Sequence, residues 1–119
     1  MGMATGLALA GLVPVTVYPR WNFLLLAMNQ LIGHLDKIPL YSSYRPRVIV
    51  RVGVGPSGPL DPGVQHVGDF SEPVAAMCST LTIVRLKPPV DVVGAYLDAL
   101  AREDSTVMVE YGDAYDAEA

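Results

Sequence analysis

Four short runs rich in β-branched residues, each separated by a stretch with helical spacing, constrain this chain more than any other feature. The runs are Val13-Pro14-Val15-Thr16-Val17-Tyr18, Val48-Ile49-Val50-Arg51-Val52, Leu81-Thr82-Ile83-Val84 and Thr106-Val107-Met108-Val109. Their length and composition predict strands, with Pro14 tolerated near a strand start. Between the first two runs, Phe23, Leu24, Ala27, Met28, Leu31, Ile32 and Leu35 recur at helical intervals. This predicts one helix from Trp21 to Ile38, and Leu25 and Leu26 widen its stripe enough to expect burial on most sides. Met1 to Ala10 reads as a buried helix stopped by Gly11. Ser71 is the expected cap of a short helix through Met77, with Glu72 and Pro73 in its first turn. Pro88-Pro89 opens a further helix whose apolar face is Val92, Val93, Tyr96, Leu97 and Leu100. Strands alternating with helices imply an α/β domain, here a three-layer α/β/α arrangement around a mainly parallel sheet.

Charge and cysteine content narrow the function classes. The chain has 119 residues and a net charge of −4, so nothing in it favours nucleic acid or an anionic membrane. Eight of the twelve carboxylates lie from Asp91 onward, and residues 113–119 read as an acidic tail behind a domain spanning 1–112. A single cysteine, Cys78, gives no disulfide framework and no thiolate zinc site. The first nineteen residues are uncharged, but Gly2, Gly6, Gly11 and Pro14 spoil a spanning helix, and no basic residue precedes Arg20. A cytoplasmic setting is the expectation.

In a parallel α/β sheet, ligands bind beyond the C-terminal ends of the strands. Two segments should lie there: Tyr18-Pro19-Arg20-Trp21-Asn22-Phe23, and the loop from Gly53 to Gly68, in which eight of sixteen residues are Gly or Pro. Such a loop lets backbone approach a ligand closely. Trp21 and Phe23 are aromatic side chains of a kind used more often for core packing than as ligand platforms. His66, between Gln65 and Asp69, suits proton transfer or hydrogen bonding, with an ordinary surface histidine as the alternative. His34, mid-helix, suits a buried structural role or a subunit contact. No Gly-Lys-Ser/Thr follows the loop and its glycines lack dinucleotide-binding spacing.

Several ordered pieces together resemble the pyrimidine-binding domain of transketolases and of the β subunits of 2-oxo-acid dehydrogenase E1 components. Residues Gly2 to Val15 look like the family's glycine-punctuated helix and following strand. Asn22-Phe23, Ala27-Met28-Asn29-Gln30 and Lys37-Ile38 are similar to its pyrimidine-pocket helix. Gly63-Val64-Gln65-His66 matches a loop whose histidine faces substrate, and Val107-Met108-Val109-Glu110 fits the end of the domain.

The resemblance implies an incomplete thiamine-diphosphate-binding fold that supplies the pyrimidine side of a site. Phe23 would stack on the aminopyrimidine, with Asn22 and Trp21 beside it, and His66 would face the substrate. Arg20 stands where these enzymes commonly carry a second aromatic, and Trp21 would compensate. The cofactor would be thiamine diphosphate, its magnesium held by a partner: a diphosphate-binding domain or an α-like subunit within a homo- or hetero-oligomer. The complete enzyme would act on 2-oxo acids or ketose phosphates, and this chain alone would be inactive. Neither Gly68-Asp69 nor Gly112-Asp113 continues into the family's Gly-Asp-Gly diphosphate motif. The family's activating glutamate falls a few residues before the position of Met1. The expectation is therefore a Glu just upstream, preceded by a first strand within roughly 40–60 residues. Two alternatives remain: a non-catalytic remnant serving as an interaction module, and an unrelated small-molecule-binding α/β protein.

Overall fold

In the computed structural model, described over residues 1–56, 58–87 and 91–115, the β-branched runs form one sheet. Its strands are β1 (Val15–Tyr18), β2 (Ile49–Val54), β3 (Thr82–Leu86) and β4 (Thr106–Tyr111), in the order β1-β2-β4-β3 and all parallel. Parallel neighbours in register share a face. Val50, Val52, Val107 and Val109 therefore point one way, and Ile49, Arg51 and Met108 point the other.

The first face is thickly covered. Onto it pack α1 (Gly2–Leu9) through Ala4 and Ala8, and α2 (Trp21–Leu25) through Trp21 and Leu24. A π-helical segment (Asn29–Leu35) adds Leu31 and Leu35, and α4 (Ser71–Met77) adds Val74. The second face carries α5 (Val92–Ala101), where Ala99 meets Ile49, Leu86 and Met108. The split follows from handedness. Connections β1→β2 and β2→β3 advance in one direction across the sheet, whereas β3→β4 steps back, so a right-handed crossover must take the opposite face. The result is three layers, helix on sheet on helix.

Several expectations need correction. The stretch from Trp21 to Ile38 is not one helix: α2 ends at Leu25, the π-helical segment follows, and α3 (Ile38–Tyr41) closes it. The wide turn brings residues five apart into line, and His34 Nε2 donates to Asn29 Oδ1 at 3.2 Å across that spacing. His34 is thereby exposed rather than buried, and Leu25 and Leu26 face outward. In α1 only Ala4 and Ala8 are buried, and Met3, Leu7 and Leu9 are exposed. Ser71 does not cap α4. Asp69 accepts from both the Ser71 backbone N–H and its hydroxyl, which an Asx turn favours over self-capping.

The last helix starts at Val92, where the Asp91 carboxylate accepts from Gly94 N at 2.9 Å. Pro88 and Pro89, expected to open it, lie outside the described residues, as does the acidic tail from residue 116. Ala95, Tyr96 and Ala99 meet the sheet, whereas Val92, Val93, Leu97 and Leu100 are exposed. The stripe of large apolar residues is thus not the buried side. No helix among the described residues is long and apolar enough to cross a membrane.

Candidate functional site

The C-terminal ends of β1 and β2 meet where Tyr18-Pro19 turns into α2. A Cβ on Gly53 would sit 2.5 Å from the Pro19 carbonyl oxygen, so only glycine lets the two strand ends close this far. Arg20 lies over the same seam and donates from Nη1 to Pro19 O at 3.3 Å. The loop leaving β2 returns through a turn at Gly63, whose φ of 82° favours glycine. Asp61 accepts from Gly63 N at 2.8 Å, and His66 N donates to Gly63 O at 3.0 Å, which directs the imidazole back toward α2.

There His66 stacks on Phe23, the ring centroids 5.6 Å apart and the planes 18° from parallel. Two residues singled out from distant parts of the sequence are thus in contact. Phe23 remains 44% exposed, so the pair is a partly open aromatic platform rather than core. Trp21 behaves differently. It is fully buried and sets its edge against Phe70 at 6.4 Å, which leaves no open ring face for a ligand. Polar atoms here are unusually short of partners. Trp21 Nε1, Asn22 Oδ1 and His66 Nδ1 are all buried with no hydrogen bond among the described residues. Buried polar groups are ordinarily paired with protein or with ordered water, so these atoms, like Arg47 Nε and Thr106 Oγ1 at the strand entries, are open to water or to a ligand.

The site's carboxylates are committed elsewhere. Asp69 takes Tyr111 Oη at 2.7 Å as well as Ser71. Burial raises its carboxyl, but the Ser71 and Tyr111 hydrogen bonds outweigh this and hold it below the usual range. Glu110, on the other face of the sheet, accepts from Arg51, from Tyr96 Oη at 2.6 Å and from Tyr115 Oη at 3.0 Å. Burial opposes its ionisation, and the Arg51 guanidinium with the two phenols prevails and lowers it. No group of three or more His, Cys, Asp or Glu side chains among the described residues could hold a metal ion.

Sequence reasoning missed the most highly coordinated side chain among the described residues, Asp36. It follows the π-helical segment and lies at the opposite end of the sheet, beside the entry to β3. Its fully buried carboxylate accepts from the backbone N–H groups of Ser79, Thr80 and Leu81 at 2.7–2.9 Å and pairs with Lys37 Nζ at 2.7 Å. Burial alone would raise it, but Lys37 and those N–H groups hold it down to about 2. The sequence signal is an Asp-Lys pair, the only Asp, Glu, Lys or Arg residues between Trp21 and Ile38. Cys78 sits beside this centre, and burial together with the Asp36 charge pushes its thiol up to about 11.

Comparison with known proteins finds no family whose model matches this chain and no curated protein similar to it. The class that the geometry defines is a parallel α/β/α domain with an aromatic platform at the strand ends.

Proposed function

We propose that this chain is the pyrimidine-side domain of a thiamine-diphosphate-dependent enzyme acting on 2-oxo acids or ketose phosphates, completed by a diphosphate-binding domain or chain. The observation that supports this reading is the Phe23–His66 stack beyond the C-terminal ends of β1 and β2, with unpartnered polar atoms on Asn22 and on His66 itself. When bound, the cofactor supplies carbanion stabilisation. The chain's own part is to hold and orient. The outer face of Phe23 offers stacking for a flat heteroaromatic ring, Asn22 Oδ1 offers an acceptor for an amino group, and His66 Nδ1 offers a partner at the platform edge. The residues fit the ring-binding half of such a site. Asp69 and Glu110 are both engaged and are not free to activate it.

That commitment favours one second reading, a non-catalytic module that binds the same ligand class or a partner without turnover. The test uses the ring protons of the two histidines followed by NMR while thiamine, thiamine diphosphate or ATP is added. A saturable shift of His66 but not His34, with either thiamine compound and not with ATP, is expected. Failure of His66 to respond up to roughly 10 mM, where binding worth only about 3 kcal/mol would register, overturns the reading. Proton exchange at the thiazolium carbon, measured with and without a diphosphate-binding partner, then separates enzyme from non-catalytic module.

A further inference from the structure

The loop that carries His66 leaves the sheet and returns to it at one place, the exit of β4. Val54, the last residue of β2, is in register with Tyr111, the last residue of β4. Just beyond, the outgoing chain presses on Gly112: a Cβ there would collide with the Pro56 ring, so the approach needs glycine. On the return, Asp69 accepts a hydrogen bond from Tyr111 Oη at 2.7 Å. Two consecutive residues, Tyr111 and Gly112, thus hold both ends of the loop. In between, the loop bonds to itself or to its sequence neighbours. Gly63 N donates to Asp61 Oδ1, His66 N to Gly63 O, and Ser71 N to Asp69 Oδ1. Among the described residues, the Tyr111–Asp69 hydrogen bond is the single one that joins residues 58–69 to a distant part of the chain.

Both partners of that bond are fixed from behind. The Tyr111 ring packs on the core, and Lys87 Nζ lies 5.0 Å from its centroid. Burial and the Asp69 carboxylate push its phenol up to about 12, so at neutral pH it stays a donor. Asp69 is flanked by Gly68, where a Cβ would sit 2.8 Å from Phe70 Cε2, and by Phe70, whose ring meets Trp21 edge to face. Three residues separate Asp69 from His66, a span of about 10 Å at full extension. A loop released at Asp69 therefore has slack enough to lift the imidazole away, and one half-open aromatic pair holds it only weakly. We infer that Tyr111 is a positioning residue for the aromatic platform: its hydroxyl latches Asp69, and the latch keeps the loop where His66 lies on Phe23. The consequence for a bound ring rests on the thiamine reading proposed above, whereas the placement of His66 does not.

NMR of the 119-residue chain reads the latch directly, because the Phe23 ring current shifts the protons of an imidazole stacked on it. Tyr111→Phe removes one oxygen and keeps the ring. The His66 ring protons are expected to move toward their positions in Phe23→Ala, with those of His34 unmoved. Tyr115→Phe, which takes a phenol from Glu110 on the other face, should leave His66 where it is. In an Asp69→Ala background, Tyr111→Phe should add no further shift, since the two side chains act as one contact. Thiamine binding, followed on the same signals, is expected to weaken roughly three- to tenfold in Tyr111→Phe, as loss of one charge-assisted hydrogen bond implies. Wild-type His66 signals in Tyr111→Phe overturn the inference, as does a further shift when that change is added to Asp69→Ala. A lower melting temperature with His66 unmoved also overturns it and leaves Tyr111 a purely structural residue. If Tyr111→Phe fails to fold, Asp69→Ala carries the test, and a folded Asp69→Ala chain with wild-type His66 signals overturns the latch. Should the wild type bind no thiamine, the thiamine reading falls while the His66 shifts still decide the latch.

Discussion

Two polar centres, one at each end of the sheet, differ in how far their atoms are engaged, although Arg47 Nε and Thr106 Oγ1 at the strand entries also have no partner among the described residues. At the entry to β3, Asp36 is buried and every oxygen is engaged, by three backbone N–H groups and an ammonium. Beyond the exits of β1 and β2, Trp21 Nε1, Asn22 Oδ1 and His66 Nδ1 are buried and engage nothing. A satisfied centre stabilises, whereas an unsatisfied one costs free energy that water or a ligand can return. The Asp36 centre therefore contributes to stability, whereas the polar atoms beside the Phe23–His66 stack are left without a protein partner.

The largest test of this contrast removes the satisfied centre. Asp36→Ala strands three backbone donors and Lys37, and the loss should be about 3–5 kcal/mol in urea unfolding, enough to unfold a marginal domain. Acid provides a milder version. The Asp36 carboxyl is lower in the folded chain than its ordinary value of 3.8, at about 2. Its contribution is therefore fully present above pH 4 and is lost as pH falls through about 2. The size should be about 2–3 kcal/mol, and Asp36→Asn should lack that acid-dependent component. A pH-stability profile identical in wild type and Asp36→Asn would contradict the assignment.

Beside the Phe23–His66 stack, effects on folding should be small and effects on binding comparatively large. Phe23→Ala should cost about 1 kcal/mol of stability, because the ring is half open, and should weaken thiamine binding a few-fold to roughly tenfold. A loss near the 3–5 kcal/mol typical of a core Phe→Ala would make Phe23 a packing residue instead. Smallest of all, Trp21→Phe removes a buried donor that has no partner. Stability should change by no more than about 1 kcal/mol, lost ring volume being offset by relief of the orphan N–H. A drop of several kcal/mol in the melt would show that Nε1 has a partner after all.

What could be read in the sequence follows from range. All four strands were legible because β-branched runs declare themselves locally, and the alternation implied a parallel sheet. Breakage of the 21–38 stretch was not, since its apolar spacing is the same whether the turn is α or π, and only tertiary burial of Leu31, Leu35 and Asp36 selects between them. Which side of α5 is buried was misjudged for a related reason. The large residues drew the face, yet small Ala95 and Ala99 allow the helix to approach the sheet. Phe23 and His66 could each be singled out by type and neighbourhood, but their stacking depends on the Gly63 turn and the Gly53–Pro19 seam. Asp36 escaped because its partners are backbone groups, which leave no signature in side-chain composition.

The strand order β1-β2-β4-β3 also has a consequence in time. The last of these four strands in chain order, Thr106–Tyr111, is the one on which β2 and β3 both pair. Until it arrives, the chain has a β1–β2 pair and a lone β3 with an open lane between them, held only by α4 above. The four-stranded sheet cannot form on a growing polypeptide before β4 emerges, and it then closes through contacts distant in sequence, which are slow to form. In that interval the edges of β2 and β3 are exposed together, and the nascent chain is at its most vulnerable to mispairing with another copy of itself.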